Sequence, residues 1–335
     1  MLGMKVLLYL EGEKAISKSG IGRAIKHQQK ALELQGIPYT TDEHDDYDLV
    51  HINTYGLMSW HLLKTAKKAG KKVIMHGHST KEDFRNSFLF SNQIAPLFKW
   101  YLMHFYRAAD AIITPTEYSK QLIQSYGITC PIFPVSNGIE LPKYTPDKAK
   151  EVAFREYFKL SAEQKVVISA GLFFRRKGIE DFVKVAEQMP DVTFIWFGQI
   201  NKWLIPSKVR RLVEKNHPQN VIFPGYIKGD IYEGAMSGAD AFFFPSFEET
   251  EGIVVLEALA SHQQVVLRDI PVYEGWIGED AVDFASDIDG FVAALNRVLS
   301  GQRNKCEAAY KVAESRRIEL VAKQLATAYQ KVMEL

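Results

Sequence analysis

The stretch AFFFPSFEETEGIVVLEALA, Ala241 to Ala260, decides how the chain is read. AFFFPS (Ala241–Ser246) is a short apolar run of strand length, and GIVVLEALA after it has the composition of a buried helix. Between them lies an acidic loop holding Glu249, Thr250, Glu251 and Gly252. A helix starting near Gly252 leaves its first N–H groups without intrahelical partners, so they can bind a phosphate or a charged leaving group. Glu249 falls just before that start, and Glu257 more than a turn along. Both carboxylates can accept hydrogen bonds from the hydroxyls of a polyol. Strand, acidic loop and helix together predict a ligand site at the carboxyl end of a parallel sheet.

Similar alternation runs through the whole chain. In the first half the strand candidates are Lys5–Leu10, Asp48–Asn53, Lys72–His76, Ala111–Pro115 and Ile132–Val135. Helical patterns fit over Gly22–Leu34, Leu57–Ala69 and Tyr118–Tyr126. The second half repeats the theme with Lys165–Gly171, Thr193–Gly198, Asn220–Gly225, Ala241–Ser246 and Gln264–Arg268. A chain of 335 residues suggests two domains. The turn-rich NGIELPKYTPDKA marks the boundary, giving residues 1–140, 141–315 and a final helix over 316–335 expected to pack back on the first domain. The fold class expected is α/β, two doubly wound domains facing across a cleft that receives the ligands.

Bulk composition excludes several classes of function. Forty-one basic and 40 acidic residues leave a net charge of +1, which offers no general attraction to nucleic acid. The first 140 residues carry 16 basic and 13 acidic side chains, a mild bias toward an anionic partner such as a lipid surface. Cys130 and Cys306 are too few for a disulfide framework or a thiolate zinc site, and a reducing cytoplasm is expected. Met1 leads straight into a strand-like run with no signal-peptide pattern, and no apolar run approaches the ~18 residues of a membrane span.

Further stretches can carry chemistry or contact a partner. SGIGRA (Ser19–Ala24) opens a helix after the first strand; Gly20 and Gly22 either let the backbone approach a phosphate or make a tight turn. HGHST puts His76 and His78 at the end of a strand, where α/β proteins place reactive groups. GLFFRRKGIE (Gly171–Glu180) crowds Arg175, Arg176 and Lys177, three mutually repelling cations that invite an anion. Asp46 and Asp48 form a D-x-D pair, but at the wrong end of their strand for a metal. Finally, Ser87–Arg107 carries Phe88, Phe90, Phe98, Trp100, Tyr101, Phe105 and Tyr106, interrupted by Pro96 and edged by Lys99 and Arg107. It reads as a buried helix pair or as an interfacial segment entering a lipid headgroup zone. The basic run Lys64, Lys67, Lys68, Lys71 and Lys72 is a solvated face or a second attraction to anionic lipid.

PSFEETEGIVVLEALA resembles the E-x7-E signature of the large retaining glycosyltransferase family that contains phosphatidylinositol mannosyltransferases and sucrose synthases. SGIGRA is similar to that family's first glycine loop, VSNGIE to its linker N-G-I-D, GLFFRRKG to its G-R-L-x-x-x-K-G, and NVIFPGYI to its base-cradling stretch. The likeness covers nearly the whole chain and implies the two-domain GT-B fold. By that resemblance Lys177 and the backbone at Gly252 and Ile253 would bind the donor's diphosphate, and Thr250 would line the same site. Glu249 would hold the donor sugar, Glu257 the ribose, and Tyr226 and Ile227 the base. His76, and less closely His78, would lie beside the reacting carbon, with no metal or cofactor required. Two positions depart from the pattern. Leu172 stands where the family has an arginine, so Arg176 or Arg175 is expected to replace it; Thr250 and Glu251 replace Gly-Phe, with Glu251 expected to point away from the phosphates.

The opening of the chain and GLFFRRKGIEDF look most like bacterial synthases that add a second hexose to monoglucosyl-diacylglycerol, building lipoteichoic acid anchors. The resemblance implies a peripheral enzyme on the cytoplasmic face of the membrane. Its donor would be UDP-galactose, or else UDP-glucose, and its partners a glycolipid acceptor and an anionic lipid surface. The alternatives are a transferase for a capsular or other saccharide, and a non-catalytic sugar-nucleotide or lipid-binding protein on the same fold.

Overall fold

Each apolar run becomes a parallel strand. In a computed structural model, which describes residues 3–12, 20–201, 203–302 and 304–335, the first sheet holds β1 (Val6–Tyr9), β2 (Tyr39–Thr40), β3 (Leu49–Ile52), β4 (Lys72–His76), β5 (Ala111–Thr114) and β6 (Ile132–Pro134). The second holds β7 (Val166–Ala170), β8 (Thr193–Phe197), β9 (Val221–Gly225), β10 (Ala241–Phe244), β11 (Val265–Arg268) and β12 (Asp283–Ala285). Their orders are β2-β1-β3-β4-β5-β6 and β12-β11-β10-β7-β8-β9. Both belong to the doubly wound class, so the α/β expectation holds. β2 and β12 escape the sequence reading because each is a short edge strand without the continuous apolar run that burial on both faces imposes.

The described chain falls into two compact units. One comprises Met1–Glu82, Ile94–Ile139 and Arg316–Leu335; the other comprises Asp83–Gln93 and Glu140–Ser315. In the first, alternate strand residues feed two cores. Val6, Leu8, Leu49, Ile74 and Ile113 pack with Leu32, Val321, Leu325 and Tyr329, whereas Leu7, Val50, Val73, Met75 and Ile112 pack with Leu63, Leu102 and Phe105. The helix Ile318–Met333 thus completes a core whose strands lie some 200 or more residues earlier. In the second unit Phe182, Phe194, Trp196, Phe243 and Phe291 dominate the core.

Pro96 does not break the aromatic stretch, contrary to the sequence reading. One helix runs Ser91–Ala108 through it. The proline sits just past the first turn on the exposed face, so its missing N–H affects only the carbonyl of exposed Asn92. The helix is two-sided: Leu102, Phe105 and Tyr106 are buried, and Ile94, Leu97 and Trp100 are exposed.

Replacing Tyr329 by Ala empties a fully buried site and should cost about 3–5 kcal/mol in urea denaturation. A near-neutral result would show that the final helix contributes little to the first unit's core.

Candidate functional site

The decisive stretch folds as strand, loop and helix. After β10 the chain passes Glu249 and turns at Gly252, whose φ of +94° is left-handed and suits glycine. The helix Ile253–Ala260 follows, buried nearly all round. Beside it, Arg175–Lys177 forms a single 3-10 turn that ends at left-handed Gly178 (φ +78°). A Cβ on Gly178 would collide with the Pro245 carbonyl oxygen. The Phe247 amide donates to the Arg176 carbonyl at 2.7 Å. Arg268, at the end of β11, braces the same corner: its Nε donates to the Pro245 carbonyl at 3.0 Å, it pairs with Asp181 at 2.5 Å, and it stacks on Phe247 at 3.8 Å.

Within this frame Lys177 Nζ donates to Glu249 Oε1, which also accepts from Ser246 Oγ at 2.6 Å. Burial alone would raise the Glu249 pKa, but Lys177 and Arg176 outweigh it and hold the carboxyl below its ordinary value. Burial likewise lowers the Lys177 ammonium, with Glu249 opposing. Arg176 has other work. Its Nε donates to Ser87 Oγ at 2.8 Å, Nη1 to the Glu248 carbonyl at 2.9 Å, and Nη2 pairs with Asp83 at 2.8 Å. The guanidinium expected to stand in for an arginine at Leu172 is therefore already matched inside the unit, and pulling it away would leave the half-buried Asp83 without its ion pair. Arg175 is exposed and lies 3.5 Å from Glu180. Of the three cations, Lys177 lies nearest Glu249, and Arg176 Nη1 stands 3.7 Å from the same carboxylate oxygen.

Glu257 is buried, and its two oxygens accept from Tyr144 at 2.9 Å and Tyr232 at 2.8 Å. Thr250 is half-buried, Glu251 buried. Tyr226 (exposed) and Ile227 (half-buried) follow β9. Sequence reasoning missed Asp83, Ser87, Tyr144, Tyr232, Ser246 and Arg268. These are ordinary polar residues whose roles arise only where separated segments meet.

The first unit holds a different constellation. His76, the last residue of β4, stacks on His78 (ring centroids 3.8 Å) and faces His51 of β3 (5.1 Å). His76 Nδ1 lies 3.1 Å from both His51 Nε2 and Gln28 Nε2. His51 Nδ1 bonds the Tyr329 hydroxyl at 2.7 Å, and His78 Nε2 bonds Asn53 Oδ1 at 2.8 Å. His76 Nε2 is buried without a hydrogen-bond partner among the described residues. Burial lowers all three imidazoles, His76 to about 3, so the stack is neutral at physiological pH. His51 and Asn53 were hidden inside the apolar run of a strand. Gly20 and Gly22 fall in the first turn of the helix Gly20–Gln35, exposed and buried respectively; Ser19 of the same motif lies outside the described residues.

The aromatic segment does not act as one surface. Phe88 packs on Phe174 (4.8 Å), Phe98 and Tyr101 rest against the first unit's core, and Lys99 lies over the Tyr126 ring at 4.1 Å. These face inward because their neighbours supply apolar or π surface. Phe90, Trp100 and Arg107 remain exposed. The basic run is partly neutralised, Lys67 by Asp110 and Lys71 by Asp46, while Asp48 accepts from the Lys5 amide. Among the described residues no group of three His, Cys, Asp or Glu could hold a metal, and no helix is long and apolar enough to cross a membrane.

Two six-stranded parallel sheets, each wrapped by helices, with an acid–glycine–helix site at a strand end, define the GT-B class. Solved structures agree. Sucrose-phosphate synthase from Thermosynechococcus elongatus superposes with a TM-score of 0.81 at 17% identity, covering 98% of this chain and 99% of that one. Anabaena HepE, solved with UDP-glucose, gives 0.76 at 16% identity, covering 98% and 100%. The family models Glycosyltransferase Family 4 and Glycosyl transferases group 1 match residues 29–143 and 152–316. A processive diacylglycerol alpha-glucosyltransferase of Acholeplasma laidlawii is 49% identical over 99% of both chains. An alpha-galactosylglucosyldiacylglycerol synthase of Streptococcus pneumoniae is 26% identical over 68% of this chain and 62% of its own. The chain belongs to glycosyltransferase family 4 and is a hexosyltransferase.

The histidine stack sets an acid limit on stability. A base whose folded pKa lies below its unfolded value of ~6.5 contributes full stability above that value and loses it as pH falls toward the folded pKa. Each imidazole should remove up to about 1.4 kcal/mol per pH unit below 6.5. Melting temperature should therefore decline from pH 6.5 to 5, before carboxylates protonate. The Gln28→Ala, Asn53→Ala double variant, which loosens the stack, should show a shallower decline. Equal slopes would mean the histidines are not the cause.

Proposed function

We propose that the protein transfers a hexose, with retention, from a UDP-sugar onto a glucosyl-diacylglycerol or related diacylglycerol lipid at a membrane surface. The full-length 49% match to a diacylglycerol alpha-glucosyltransferase carries this reading. It also turns the donor preference toward UDP-glucose, where the sequence resemblance had favoured galactose. UDP as the nucleotide agrees with the UDP-glucose bound by HepE.

The second unit's geometry suits the donor. Lys177 and the first amides of Ile253–Ala260 would meet the diphosphate and stabilise its departure. As the phosphates draw on Lys177, Glu249 becomes available to the hexose hydroxyls. Glu257, held by two tyrosines, keeps lone pairs for the ribose hydroxyls, and Tyr226 and Ile227 would flank the base. Arg176 and Arg175 act less directly, the first by tying Asp83–Gln93 to the Glu248 carbonyl. In the reaction an acceptor hydroxyl oxygen bonds the anomeric carbon, the bond to the diphosphate oxygen breaks, and the hydroxyl proton passes to the departing phosphate on the same face. His76 and His78, neutral in the first unit, would serve the acceptor by hydrogen bonding rather than charge.

Exposed apolar side chains support a peripheral membrane position. The first unit presents Ile94, Leu97 and Trp100 on one helix, with exposed Arg107 further along it. The second presents Leu89 and Phe90 beside Trp203 and Leu204, joined by the Leu89 amide donating to the Leu204 carbonyl at 3.1 Å, with Arg210 over the Trp203 ring. Such surfaces enter a headgroup zone with cations at their rim.

Incubation with labelled UDP-glucose and UDP-galactose separately, on vesicles containing glucosyl-diacylglycerol, tests the transfer. Labelled diglucosyl lipid from UDP-glucose is expected, and Lys177→Ala should lower kcat about 10²–10³-fold. Transfer only to a soluble saccharide, or to nothing, would overturn the reading. Leu97→Ser with Trp100→Ser should weaken sedimentation with anionic vesicles without lowering the melting temperature; unchanged sedimentation would remove this face from the membrane contact.

A further inference from the structure

Among the described residues, Tyr273 is the buried tyrosine whose hydroxyl has no hydrogen-bond partner. It closes a 3-10 turn, Pro271–Tyr273, after β11, and is 1% exposed. Its ring lies near Trp276 (5.9 Å) and Phe284 (6.2 Å), and the Ile277 amide donates to its carbonyl at 3.0 Å. The backbone and ring are thus held, yet the hydroxyl has no hydrogen-bond partner among the described residues. Other buried tyrosines are matched: Tyr106 to the Ser79 carbonyl, Tyr144 to Glu257, Tyr329 to His51. A buried donor left unmade is costly, and native proteins rarely keep one without use.

The orphan's position is specific. Its oxygen lies 3.7 Å from where a Cβ on Gly252 would stand, at the amino end of the helix Ile253–Ala260. It is close enough to Glu249 to feel that carboxylate's charge, and burial raises its pKa well above the ordinary phenol value, so it stays a proton donor. Any ligand at this helix end is an acceptor, because the helix amides there also donate.

We propose that the Tyr273 hydroxyl is a donor-binding group that hydrogen-bonds an oxygen of the sugar nucleotide's diphosphate at the amino end of helix Ile253–Ala260. This rests on the reading that the second unit takes a UDP-sugar. Glycine at 252 serves the arrangement twice. It adopts the left-handed turn, and it leaves the space in front of the hydroxyl clear of a side chain.

The test is Tyr273→Phe in the full chain, which deletes the oxygen and keeps the ring. Calorimetric titration with UDP and with UDP-glucose should each show about tenfold to a hundredfold weaker binding, the loss of a hydrogen bond to a charged group. The melting temperature without ligand should stay equal or rise, since an unsatisfied buried hydroxyl has been removed. Undiminished UDP affinity overturns the proposal. Weakening confined to UDP-glucose would assign the hydroxyl to the sugar and overturn the diphosphate contact. A lowered melting temperature would show that the oxygen already has a structural partner, and would overturn it too. Failure of the wild-type chain to bind UDP at all would instead refute the underlying donor reading.

Discussion

The second unit depends on one close approach, the Gly178 backbone lying directly against the Pro245 carbonyl. β7 and β10 are neighbours in their sheet although about 70 residues separate them in sequence. Parallel pairing brings their carboxyl ends side by side, so the loops that leave them must share one corner. Only a residue without a side chain, able to take positive φ, lets those loops close on each other. With that contact made, Arg176 and Phe247 join through their backbones, Arg268 braces Pro245, and Lys177 reaches Glu249.

That closeness concentrates charge. Asp83, Arg176, Lys177 and Glu249 form a partly buried group with two charges of each sign, so every desolvated ion has a counter-ion at hand. Such a group is a weak source of net stability, because desolvation offsets much of the attraction, yet it tolerates the loss of a member badly. Under the proposed binding of a sugar nucleotide, the lysine would turn to a phosphate while Arg176 stays with Asp83. The first unit solves burial of polar groups differently. Three imidazoles, an amide pair and a phenol bond one another without net charge, and among the described residues the buried His76 Nε2 stays unmatched.

Most of the architecture was legible because parallel sheets write their strands as uninterrupted apolar runs. Ten of the strands stand in the sequence for that reason, and the short edge strands β2 and β12 do not. The acidic loop and its helix were legible as well, since a glycine before an apolar helix after a strand has few other readings. The arginines show the limit. Arg175, Arg176 and Lys177 are equivalent as letters, but a 3-10 turn sends them in three directions, one to Glu180, one to Asp83, one to Glu249. Similarly, the aromatic stretch could be read as core or as surface, and its helix presents both, according to which side faces the sheet.

By itself, then, the sequence determined the local periods, the two doubly wound halves, the glycines at forced turns and the motif that marks the family. These follow from short-range sterics and from burial on both faces of a strand. Tertiary structure alone decided which polar groups pair: the segment Asp83–Gln93 joining the second unit, Tyr144 and Tyr232 on Glu257, Tyr329 on His51, and Tyr273 left with an unmatched hydroxyl beside Gly252. Hydrogen bonds and ion pairs act over about 3 Å, and distance in the chain says nothing about distance on that scale.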